Sequence, residues 1–149
     1  MSEVATLEGY LEAYGELTYT NVGTSMLPLL RQGRDLFTVT VRMDGRCRVG
    51  DVVLYRRPPD RHVLHRVVGV GSDGYHILGD NCLEREWVSE SDVIGVMTSF
   101  VRNGRVHGVD AIGYRAYTWV WLRTERLRVT LRRMALGVRR RARTVFGGR

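Results

Sequence analysis

The chain has 149 residues and a formal net charge of +7, with 44% hydrophobic residues, enough for one domain with its own core. All 23 basic residues are arginine, and they are unevenly placed: residues 115–149 carry 11 Arg against the single acid Glu125, whereas residues 1–114 carry 12 Arg against 15 acids. The body is therefore mildly acidic, which argues against a nucleic-acid-binding core and assigns the basicity to a C-terminal appendage.

No secretion signal or transmembrane run is visible, and Cys47 and Cys82 match no metal-ligand spacing, so no metal or cofactor is expected and reduced thiols are. Residues 2–16 read as a short helix, with Ser2 as cap, Val4, Leu7, Tyr10, Leu11 and Tyr14 at helical spacing, and Gly15 as the stop. Leu17–Val22 turns β-like. Gly23-Thr24-Ser25-Met26-Leu27-Pro28-Leu29-Leu30 follows as a small-residue turn holding a serine, then an apolar run that Pro28 keeps out of any central strand or helix interior.

Strand signals then come in series at 36–41, 49–55, 62–70, 75–78 and 92–101, separated by the Met43-Asp44-Gly45, Ser72-Asp73-Gly74 and Gly79-Asp80-Asn81 turns. Asn103-Gly104 turns back to Val106. Many short strands with glycine turns predict a mainly β fold, a coiled sheet or partial barrel. From Gly113 the period changes. Tyr117, Val120, Trp121, Thr124, Leu127, Leu131, Met134, Val138, Ala142 and Val145 fall three or four apart among arginines, which predicts a long basic amphipathic helix, or two broken near Gly137. The expected division is a β domain over 1–113 and a helical segment over 114–149.

A serine nucleophile needs a base, and the chain has no lysine to serve. Among His62, His65, His76 and His107, the mid-strand His65 stands out, because His65-Arg66 interrupts an apolar run. A base histidine needs an acceptor on its second ring nitrogen. Asp80, in the turn after the strand that pairs with the His65 strand, is the expected acid.

Four stretches, Gly-Thr-Ser-Met-Leu-Pro at 23–28, Gly-Asp-Val-Val-Leu-Tyr at 50–55, Leu-His-Arg-Val-Val at 64–68 and Gly-Asp-Asn at 79–81, give the chain a resemblance to the signal peptidase I-like serine peptidases, which include self-cleaving repressor domains. The resemblance covers roughly residues 18–100, and the His-Arg-Val form is similar to the endoplasmic-reticulum, archaeal and sporulation-type branch, where histidine replaces the lysine base. It implies a signal-peptidase-like fold and a serine endopeptidase that cuts precursor or leader peptides after small side chains. Ser25 would be the nucleophile, His65 the base and Asp80 the acid; Asp51 and Arg66 would be structural. Gly23 stands where relatives often carry a serine that helps the oxyanion hole, which leaves the Ser25 N–H with help from Thr24. The segment after Asn81 also departs from the family, so Glu84 and Asp92 stay open beside Asp80 as the acid. The family's N-terminal membrane anchor is not seen, so the expected location is the cytoplasm, with peripheral contact to the inner membrane face through the arginine-rich helix. That helix could instead pack on its own domain or bind an acidic leader. The rival expectation is a peptidase-like module that holds a peptide or an anionic membrane surface without cutting it.

Overall fold

Strand β3 (Val52–Arg57) has apolar residues in unbroken succession, and both of its faces are covered. Val52 and Leu54 point into one core with Leu11, Met26, Leu29, Leu30 and Phe37, while Val53 and Tyr55 point into a second with Val67, Tyr75, Ile77 and Val88. A strand with two buried faces needs a continuous apolar run rather than alternation.

The computed structural model describes residues 6–42 and 45–146. Around β3 the chain builds an antiparallel sheet from β1 (Glu16–Thr20), β2 (Asp35–Thr40), β4 (Arg61–Val70), β5 (Gly74–Leu78), β6 (Glu86–Ser89), β7 (Val93–Arg102) and β8 (Arg105–Gly108). The order is β1-β2-β7-β3-β4-β5-β6, with β8 paired to β7. Strand β7 is long enough to pair with β3 through Val93–Val96 and with β8 through Ser99–Arg102, while β2 lies along its other side. The Asn103-Gly104 hairpin forms as expected, with φ of 51° and 74°. Strand β6 was not expected: Trp87-Val88 is too short an apolar signal, and the strand exists because it completes β5 at the sheet edge.

Helix α1 spans Leu7–Tyr14. Its cap is Thr6, whose hydroxyl accepts from Gly9 N–H at 3.1 Å, and only Leu11 is buried; the expected Ser2 cap and Val4 lie outside the described residues, as do Met43 and Asp44. His62, at the start of β4, bonds Glu8 at 2.8 Å and so ties α1 to the sheet. The C-terminal segment forms α2 (Ile112–Arg123) and α3 (Glu125–Phe146). The break falls at Thr124, not at Gly137. The Thr124 hydroxyl turns back to Val120 O at 2.8 Å and accepts from Arg128, while Gly137 meets nothing that would disturb a helix. Helix α2 rests on the body through Tyr114 and Tyr117. Among the described residues no helix is long and apolar enough to cross a membrane.

Candidate active site

The loop from Val22 to Arg34 is held from below and from its end. Met26, Leu29 and Leu30 are buried in the first core, and each contributes on the order of 1.5–3 kcal/mol by leaving water. Asp35 closes the loop: it accepts from Arg31 N–H at 2.9 Å and pairs with Arg34 and Arg102. At the front, Gly23 takes φ +81° and donates its N–H to the Gln32 side chain at 2.8 Å. A side-chain-bearing residue would be strained there, so the glycine is fixed by the turn. Its N–H is committed, however, and it cannot serve an oxyanion. The Ser25 N–H and the Thr24 hydroxyl bond no described residue.

The Gly79-Asp80-Asn81 turn docks on this loop. Asn81 N–H donates to Ser25 O at 2.8 Å, and the Asn81 side chain donates to Thr24 O at 3.0 Å. Gly79 lies at the meeting point. A β-carbon there would sit 2.8 Å from Ser25 O, 2.9 Å from His65 Nε2 and 2.6 Å from Cys82 Sγ. The Ser25 backbone carbonyl, His65 Nε2 and Cys82 Sγ thus converge on one small volume that only glycine leaves open. The Ser25 hydroxyl bonds no described residue, His65 Nε2 included.

His65 is opposite Val53 in the β3–β4 register and shares a face with Tyr55. Its Nδ1 lies 3.2 Å from the Tyr55 hydroxyl and 3.3 Å from Glu86 Oε1. Tyr55 donates its single proton to Glu86, so it can only accept from Nδ1. Arg57 donates to both Tyr55 and Glu86. The network therefore places the imidazole proton on Nδ1 and leaves the Nε2 lone pair free on the side of Cys82, whose Sγ lies 4.0 Å away. Burial pushes the His65 pKa below its usual value, with Glu86 opposing and Arg57 assisting. Burial would raise the Glu86 pKa, but the Tyr55 and Arg57 bonds hold it below the ordinary carboxylate value, so it stays ionised near neutrality.

Asp80 does not occupy the expected place. Its carboxylate grips the Arg66 guanidinium at 2.7 and 2.8 Å, and Tyr117 donates to it at 2.8 Å. Arg66 and Asp80 side chains are each only 1% exposed. Arg66 alternates with His65 onto the other face of β4, and a buried guanidinium requires the nearest carboxylate. It also donates to Gly50 O and to Thr118, locking α2 against the sheet. The other two expected acids are elsewhere as well: Asp92 pairs with Arg56 at 3.4 Å, and Glu84 is exposed at the cleft rim and bonds no described residue. Glu86 is the acid the sequence reading missed. The sequence carried no signal for it, because β6, the short edge strand it begins, has no periodicity of its own.

Ser25, His65, Cys82 and Glu86 line an open cleft of about 1050 Å³ whose far wall is Tyr19–Val22. That wall continues β1, the edge strand of the sheet. His76 stacks edge-on against Trp87 and His107 lies flat on Phe100; neither lines the cleft. Cys47 is buried, and it and Cys82 are free thiols. Among the described residues no cluster of His, Cys, Asp and Glu has the makings of a metal site. No protein-family model matches the chain, and no curated protein matches it in sequence.

Proposed function

We propose that the chain is a serine endopeptidase of signal-peptidase type that works through Ser25, His65 and Glu86. The observation that carries the reading is the convergence of the Ser25 loop and His65 Nε2 on Gly79, with Nδ1 held by Tyr55 and Glu86. A buried imidazole whose Nε2 faces a serine loop, and whose Nδ1–H faces a carboxylate, is arranged to accept a proton.

Ser25 Oγ would attack the peptide carbonyl as His65 Nε2 takes its proton. The resulting imidazolium is stabilised by Glu86, which is already ionised. The oxyanion would be met by the Ser25 N–H and the Thr24 hydroxyl. A single donor of this kind is worth about 2.7–4 kcal/mol, so the lack of a side-chain hydroxyl at Gly23 is consistent with a slow enzyme. Collapse breaks the C–N bond, and Nε2 returns the proton to the leaving amine. Water, activated by the same nitrogen, then releases the acyl group. An extended substrate along the free edge of β1 would gain main-chain hydrogen bonds from Tyr19–Val22. The proposed substrate is a leader-bearing precursor with small residues before the cut.

One observation favours a second nucleophile: Cys82 Sγ is 4.0 Å from His65 Nε2. Burial, the largest influence on this thiol, raises its pKa and disfavours the thiolate that would attack. The test is cleavage of a peptide library, read by mass spectrometry, by the wild type, Ser25→Ala and Cys82→Ala. The proposal expects loss in Ser25→Ala and retention in Cys82→Ala. The reverse pattern assigns the chemistry to Cys82, and no specific cleavage by any of the three leaves a peptide-holding module.

A further inference from the structure

Helix α3 presents an apolar stripe left exposed among the described residues. Leu127, Leu131, Met134 and Val138 are spaced four, three and four apart, which sets them on one face. They are 61%, 55%, 62% and 68% exposed. Residues 130–141 are exposed throughout. Its root is fixed: Arg128 donates to Asp80 O at 3.2 Å, Arg132 to Asn81 O and Oδ1, and Arg133 to Leu83 O at 3.0 Å. These three arginines bond carbonyl, amide and hydroxyl oxygens and no carboxylate of a described residue. Together with Arg126, Arg139 and Arg141 they form no ion pair with a carboxylate among the described residues, because Glu125, the one acid of α3, is taken by Arg85.

We propose that α3 is a surface-lying membrane anchor that docks on a bilayer of anionic phospholipid. Charge and pattern choose this occupant. An acidic peptide or a nucleic acid would meet the arginines but leave the stripe in water. A second copy of the helix would cover the stripe but bring two arginine-rich flanks together, a like-charge contact that disfavours it. A bilayer interface takes both at once, with acyl chains under the Leu, Met and Val side chains and phosphates at the arginines on either flank. Because the root of α3 grips residues 80–83, docking would hold the loop that abuts Ser25 and His65 close to the lipid surface.

The test is flotation of the full chain with phosphatidylglycerol–phosphatidylcholine vesicles and with phosphatidylcholine vesicles. Two variants are compared, Met134→Glu/Val138→Glu and Arg126→Gln/Arg141→Gln, with circular dichroism confirming that each is folded. All four positions are solvent-exposed. The proposal expects binding only to the anionic vesicles, weakened by roughly fivefold per arginine removed and by at least that much in the glutamate variant. Absence of binding by the folded wild type overturns it. So does equal binding by Met134→Glu/Val138→Glu, which would mean adsorption of a polycation only. So does a lipid-free dimer that the same variant abolishes, which would give the stripe to a second copy. Lipid binding is read without any cleavage, so the outcome is independent of the role of Ser25.

Discussion

Glu86 Oε1 lies 3.3 Å from His65 Nδ1, and both reach the same Tyr55 hydroxyl, so the acid behind the imidazole comes from β6 and not from the Gly-Asp-Asn turn. Glu86→Gln is therefore expected to lower kcat by up to about 10⁴-fold, the loss that follows when the acid behind a base histidine becomes an amide. It should also shift the pH profile. Burial already holds the His65 pKa below about 6.5, so the acidic limb of kcat/KM lies below that pH in the wild type. Glu86 works against the burial, and its removal lowers the pKa further. The limb should move to lower pH in the variant; a purely structural Glu86 would lower kcat and leave the limb in place.

The same depressed pKa has a consequence for stability. His65 is neutral in the folded protein and takes a proton more readily when unfolded. Its contribution is therefore fully present above the unfolded pKa of about 6.5 and is lost as pH falls through that value toward the folded pKa. Thermal unfolding of the wild type and His65→Gln should converge as pH is lowered from 7 toward 5. Parallel losses of Tm across that range would contradict the assignment of a depressed pKa.

The Arg66–Asp80 pair is buried and bidentate, so removing one partner leaves an uncompensated charge inside the fold. Asp80→Ala is expected to cost about 3–5 kcal/mol in denaturant unfolding. The Arg66→Met/Asp80→Leu double variant should cost clearly less than either single truncation, because no charge is stranded. An Asp80→Ala protein of native stability that has lost cleavage would return Asp80 to the catalytic group.

Gly79 leaves room for three other groups at once. Adding a methyl in Gly79→Ala places it within 3 Å of Ser25 O, His65 Nε2 and Cys82 Sγ. Overpacking of this kind costs about 1–3 kcal/mol of stability. The effect on kcat/KM should be larger, about 100-fold, since a displacement on the order of 1 Å between nucleophile and base is enough for that. Tm and kcat/KM measured on the same preparation decide the matter: equal, small losses in both would show that Gly79 does not set the site.

What the sequence made legible was local. The glycine-bounded strands, the Asn103-Gly104 hairpin and the change to helical period after Gly113 each rest on short-range pattern, and each has its counterpart in the structure. Strand β6 escaped because Trp87-Val88 pairs at a sheet edge and has no periodicity of its own. The helix break at Thr124 escaped because the strongest breaker in sight was Gly137, while the actual break is a threonine hydroxyl turned onto Val120 O. The carboxylate beside His65 was not legible for a deeper reason. His65 and Arg66 are neighbours on one strand and point to opposite faces, so each needs its own carboxylate. Which of Asp80 and Glu86 goes to which is decided by the sheet's three-dimensional register, and spacing along the chain carries no record of it.

The central claim is that an acyl group passes through Ser25 with His65 as base. The direct measurement is a brief exposure of the protein to an activated p-nitrophenyl ester, an acid quench, and mass-spectrometric mapping of the adduct. The account predicts one acyl group on the peptide containing Ser25, absent from Ser25→Ala and His65→Ala and retained in Cys82→Ala. An adduct on Cys82, or an unmodified Ser25 in the folded wild type, would contradict it.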